Sequence, residues 1–165
     1  MTPAAAQQPA GAFLMFSRQL WQDLGGFDER FCPVWFEDVD FCARALRSGY
    51  SGRYEPAAVA RHTGGHSVGT LAFGIRKNYW YGNLLEYADK HFGFIAFRLV
   101  CAAVAVGALL RGAFSLKHGV HGAFQTYGAV AVSALRRLLR PRRRSVHSGA
   151  LDNLNGGAGS RKHGR

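Results

Sequence analysis

An α/β fold, or α+β for the isolated piece, is what this sequence predicts: a few short mixed strands under helices, then longer helices and a basic tail. Three observations lead there. GAFLMF, residues 11–16, is a short apolar run between polar neighbours, the pattern of a buried strand. EDVDFCARALRS repeats its apolar positions, Val39, Cys42, Ala43 and Leu46, at helical spacing. Beyond residue 69, three long apolar-rich stretches, about 70–92, 94–110 and 119–139, lack the alternation of strands.

Taken in order, Ser17 is placed to cap a helix through SRQLWQDLGG, with Leu20, Trp21 and Leu24 on one face. The pair Gly25-Gly26 ends it, because glycine enters the left-handed region without penalty. FDERFCPVW reads as a loop. A second helix is expected from Glu37 to Ser48, closed by Gly49, with Asp40 and Arg44 one turn apart as an ion pair. GRYEP and AAVARH are two extended pieces split by Pro56, and TGGHSVG is a glycine-rich loop. Residues 70–92 predict a long helix stopped at Gly93, its stripe Tyr79, Trp80, Tyr81 and Tyr87 reading as packing. The uninterrupted apolar run from Leu99 to Leu110, bracketed by Arg98 and Arg111, is shorter than the roughly twenty residues needed to cross a bilayer. It is therefore expected to be an interfacial or core helix.

Charge narrows the partners. The formal net charge is +11. Through Leu135 there are twelve Lys and Arg against nine Asp and Glu; from Arg136 onward there are nine against the single Asp152. The excess thus belongs to the tail. A run such as LRRLLRPRRR holds an anionic membrane or nucleic acid, and the absence of aromatic residues among the arginines favours lipid. Hydrophobic and aromatic contents of 48% and 13% exclude general disorder, which is expected only in the Gly-, Ser- and Asn-rich end after Ser145. Three cysteines without a CxxC pair point to a reducing compartment, with Cys32 and Cys42 as small core residues. MTPAAAQQPAG shows no charged and then apolar leader.

The densest acidic cluster, Glu37, Asp38 and Asp40, directly follows Trp35 and Phe36. Carboxylates avoid apolar neighbours unless they cap a helix, pair with a cation or perform chemistry. Each of those readings fits the residues alone. His62 fits a strand-end histidine or a ligand, His66 a cap or a contact to phosphate or acceptor, and Arg76 and Lys77 a solvated face or an anion contact.

GAFLMF, LGGFDERF, WFEDVDFCARALRSGY, an extended piece ending at His62, and TGGHS occur in one order. As a set they resemble the C-terminal half of the catalytic domain of family 2 inverting glycosyltransferases, in the rhamnosyltransferase-like branch. The likeness spans about residues 8–92. It implies a partial GT-A fold and transfer of a sugar from a nucleotide-sugar donor, with inversion, to a lipid-linked or cell-surface glycan. It implies Asp38 as the catalytic base and His62 as a ligand of Mn²⁺ or Mg²⁺. On this reading Trp35, Phe36, Glu37, Asp40, His66 and Arg76 bind substrate. Residues 93–140 are then membrane-associating helices and 141–165 a basic tail, with the protein peripheral at the inner, cytoplasmic face of the membrane. The nucleotide-binding half of the family, with its Asp-x-Asp motif, has no counterpart here, so a missing N-terminal half or partner chain is expected to supply it. A catalytically incompetent remnant and a membrane-surface binding module are the alternative readings.

Overall fold

The computed structural model describes residues 2–64 and 66–140, excepting the side chains at 66, 67 and 121. It is mostly helical with one small antiparallel sheet. Strand β1, Ala4–Ala5, pairs with β2, Arg53–Tyr54, in the register Ala4 to Tyr54 and Ala5 to Arg53. Ala6 N–H extends the ladder to Gly52 O at 3.0 Å. A Cβ at residue 52 would meet the Ala6 carbonyl oxygen at 2.1 Å, so only glycine stands there.

The expected strand at residues 11–16 is not one. Gly11–Phe13 form a 3-10 turn and residues 14–17 run on extended and unpaired. A strand needs a neighbour for its backbone groups, and among the described residues no third strand offers one. Side-chain burial holds the segment instead: the Phe16 ring stacks on Trp21 at 5.4 Å and packs on Phe41 at 5.0 Å. The piece at 57–62 is likewise not a strand.

Helix α1, Arg18–Leu24, begins as expected, with Leu20 N–H donating to Ser17 Oγ at 3.1 Å, and ends on Gly25 at φ 68°. Gly26 follows at φ 77°, where a Cβ would lie 2.7 Å from the Trp21 ring. Gly26→Ala should therefore cost about 2 kcal/mol or more, from strain and overpacking together, read as a lowered urea midpoint.

Helix α2, Glu37–Arg47, closes before Gly49 at φ 85°. Its buried face is Asp40, Phe41 and Cys42, not the expected apolar stripe, and Leu46 is exposed. The reason is that α2 inserts Phe41 among Phe16, Trp21 and Phe27 while turning Asp40 toward a cationic cluster. Cys32 is exposed rather than a core residue, whereas Cys42 is buried.

The TGGHSVG loop contains a single helical turn, α3, His66–Gly69. Helix α4, Phe73–His91, follows, and Gly93 starts the next helix instead of stopping the last. Helices α5, Phe94–Lys117, and α6, His121–Leu139, pack against α4. Their shared core joins Leu85 and Ala88 to Cys101, Ala105 and Ala108 and to Val130 and Ala134, small residues that let the helices approach closely. Helix α5 runs past Leu110 because Arg111 folds back onto Gly107 O at 3.1 Å and Ser115 Oγ donates to Arg111 O at 2.7 Å.

Candidate functional site

The acidic cluster enters α2 through a tightly held corner. The buried amide of Asn83, on α4, donates from Nδ2 to the carbonyls of Phe31 at 2.9 Å, Val34 at 2.8 Å and Trp35 at 3.1 Å. Trp35 and Phe36 then both adopt left-handed backbone, φ 71° and 72°, which is uncommon for bulky residues. This double turn points the chain into α2, so that Glu37, Asp38 and Asp40 occupy its first turn. Nothing in the sequence near residue 35 announces this. The one signal lies far away, in an Asn beside the apolar Leu84 and Leu85 of α4, where it is a weak helix former and calls for another role. Asn83→Ala would strand three carbonyls and should destabilise the protein by about 2–3 kcal/mol, measurable by chemical denaturation.

Burial and partners separate the three acids. Asp38 is half-buried, its Oδ2 accepting from Gly11 N–H at 2.7 Å and its Oδ1 from Val39 N–H at 2.8 Å. The approach to Gly11 is close: a Cβ there would sit 3.0 Å from Asp38 Cβ. Among the described residues no cation pairs with Asp38. Two backbone donors fix its orientation, and a carboxylate has lone pairs left for a third. The N-terminal end of α2 adds a favourable dipole.

Glu37 is half-buried beside it, with Oε2 shielded from solvent and unbonded among the described residues. Burial pushes its carboxyl up, reinforced by the charge of Asp38 and partly offset by its own backbone N–H.

Asp40, expected at a substrate, is instead fully buried among two cations and an imidazole. Lys90 Nζ lies 2.5 Å and His91 Nε2 2.6 Å from its Oδ1, and Arg44 Nε 2.7 Å from its Oδ2. No ligand reaches it, and the expected pair with Arg44 is formed. Arg44 also donates to the carbonyls of Leu24 and Gly26, both at 2.7 Å, and Lys90 reaches Asp28 at 2.6 Å. The cluster thus ties α2 to the end of α1 and to α4. Lys90 and His91 gave no signal in the sequence beyond the usual basic residues at a helix C-terminus.

The remaining residues do not converge on Asp38. Phe36 packs against Trp80 at 6.0 Å and Tyr87 at 5.8 Å, so its ring serves the interface with α4. Trp35 is half-buried. Arg76 is half-buried in the first turn of α4, and His62 is exposed on the coil before α3. The His66 side chain lies outside the described residues. Among the described residues no three His, Cys, Asp or Glu side chains gather as a metal ion requires, so His62 alone does not fit a cation site. A cavity of about 350 Å³ opens nearby, lined by Phe16, Ser17, Phe41, Cys42, Tyr50 and Arg53 among others, and Asp38 and His62 are not part of its wall.

Residues 1–138 match the model of the family described as glycosyl transferase family group 2. Two curated relatives, from Mycobacterium tuberculosis strains CDC 1551 / Oshkosh and ATCC 25618 / H37Rv, are named N-acetylglucosaminyl-diphospho-decaprenol L-rhamnosyltransferase. Each is 31% identical to this chain over 84 residues, covering 51% of the chain and 27% of the relative. The chain thus spans about a quarter of the length of the curated relatives it matches. No solved structure was found to match.

Proposed function

Since the chain belongs to glycosyl transferase family group 2, in a rhamnosyltransferase-like branch, we propose that it forms the acceptor-side part of an inverting glycosyltransferase. Asp38 is its general base. The observation that carries this assignment is the state of that carboxylate: oriented by two backbone N–H groups, at the N-terminal end of α2, and paired with no described cation.

In the proposed reaction an acceptor hydroxyl donates a hydrogen bond to Asp38. Its oxygen attacks the anomeric carbon of a nucleotide-sugar, the bond to the diphosphate breaks with its electron pair, and the proton passes to the carboxylate. One displacement inverts the configuration. Glu37, its carboxyl pushed up by burial, sits beside the base. Trp35 contributes an apolar surface at the same corner. The donor's nucleotide is held by a half that this sequence does not supply. His62 would be a single donor toward a Mn²⁺ or Mg²⁺ ion, whose charge would offset that of the departing diphosphate.

The acceptor class is proposed from likeness to the curated relatives: a sugar on a polyprenyl diphosphate. The test is loss of transfer in Asp38→Asn with the fold retained.

A further inference from the structure

Helix α5 is apolar on every side, yet protein covers only one of them. Phe97, Cys101, Val104 and Ala108 are buried, while Ile95, Leu99, Val106, Leu109, Leu110 and Phe114 are 56–73% exposed. At 3.6 residues per turn the exposed six fall within an arc of about 140° opposite the packed face and extend over about 28 Å. Only 28% of the most apolar 18-residue stretch of this helix is buried. Singly exposed apolar residues are ordinary, but a continuous stripe of this size marks a contact surface.

The charges around the stripe identify what it contacts. From residue 90 to residue 151 the sequence has ten Lys or Arg and no Asp or Glu. Arg98, stacked 4.6 Å over the Phe94 ring, stands at one end of α5 and Lys117 at the other. Long basic side chains in such places lay their stems along apolar surface and extend their heads to phosphate. We propose that the outer face of α5 seats the protein on an anionic lipid bilayer, with the helix lying in the plane of the interface.

Length alone would let α5 cross, since its 24 residues span about 36 Å against a hydrocarbon core of about 30 Å. Its packing forbids this. Helix α6 folds back along α5, bringing Phe124 and Tyr127 to Gly112, and both helices pack on α4. Crossing would carry Gln125, Arg136 and the Arg137–Glu86 ion pair toward hydrocarbon, where such groups are costly. An in-plane helix buries the apolar stripe and leaves these groups wet. The surface shares no residue with the Asp38 corner, so its failure and that of the transferase reading are distinguishable.

The test is co-flotation of the full chain with vesicles of phosphatidylglycerol in phosphatidylcholine, compared with phosphatidylcholine alone. Binding should be at least about tenfold stronger to the anionic vesicles and weaken with salt. It should fall at least about tenfold in the double variant Leu99→Glu, Leu110→Glu with the helical circular dichroism unchanged. An alkaline wash should release the bound protein. If the double variant loses its helical signal, Ile95→Gln and Leu110→Gln singly supply the comparison. Absence of binding, equal binding by folded variants, or retention through the alkaline wash overturns the proposal. So does a solution dimer that the variants split and that ignores vesicles, which would assign the face to a second copy.

Discussion

Asp38→Asn should lower sugar transfer by about 10²–10⁴-fold, the range that a positioned general base contributes. The measurement is product formation from a nucleotide-sugar and a polyprenyl-linked acceptor, in a preparation that also supplies the nucleotide-binding half. The amide is nearly the same size as the carboxylate and can still accept from one of the two N–H groups that hold it, Gly11 or Val39. Its NH₂ group faces the other donor, so one hydrogen bond is lost, at a cost of about 0.5–1.5 kcal/mol. That is too little to unfold a protein, and the thermal melt should move by only a few degrees. Asp38→Glu is expected to fail differently: the longer side chain meets the tight approach at Gly11, where a Cβ would already lie 3.1 Å from Asp38 Oδ2. Transfer by Asp38→Asn at a rate near that of the parent would remove Asp38 from the role of base.

The same four-residue stretch shows what a sequence does and does not disclose. Helical periodicity, Ser17 as a cap, and Gly25 and Gly49 as closures are local signals, and the local structure follows them. The division of labour among Glu37, Asp38 and Asp40 is not local. It depends on Lys90 and His91, about fifty positions on, and on the backbone of Gly11, twenty-seven positions back. Arg44 could be foreseen because it lies one helical turn from Asp40; the others could not. Residues 11–16 fail as a strand for a related reason, since apolar composition is local while a pairing partner is not. In α5 the apolar run stops at Arg111, although a helix can carry that arginine by turning its guanidinium onto the preceding turn. The family likeness supplied what spacing could not, the chemistry expected of Asp38. It also implies His62 as a metal ligand, but a metal site is a property of several ligands at once, and among the described residues no group of three His, Cys, Asp or Glu side chains gathers.

Asp40→Asn should cost about 3–5 kcal/mol, read from urea unfolding at neutral pH, because it leaves buried cations without their counter-charge. Against a total stability of about 5–15 kcal/mol this is the largest single-residue effect expected in the chain. The pH dependence follows from the same groups. Burial would raise the Asp40 carboxyl, but hydrogen bonds from Lys90, His91 and Arg44 outweigh it and hold the group below the usual carboxylate range. Arg30, aided by Lys90 against burial, holds Asp28 well below that range. A carboxyl with a depressed folded value binds its proton more readily when unfolded. Its stabilisation is therefore complete above about pH 4 and is lost as pH falls toward the depressed value. His91 acts at a higher pH. Burial lowers its imidazole more than Asp40 raises it, so the folded protein keeps the ring neutral, with Nδ1 buried and unbonded and Nε2–H donating to Asp40. The unfolded chain takes that proton near pH 6.5, and stability declines from there downward. Urea midpoints measured from about pH 7 to 3 should thus fall in two stages, gently below about 6.5 and steeply below about 4. Asp40→Asn should start from a lower midpoint and lose part of the steep stage, the remainder belonging to Asp28. A variant as stable as the parent, with the same acid limb, would mean that α2 is held by its apolar contacts and that the Asp40 cluster is not what anchors the corner bearing Asp38.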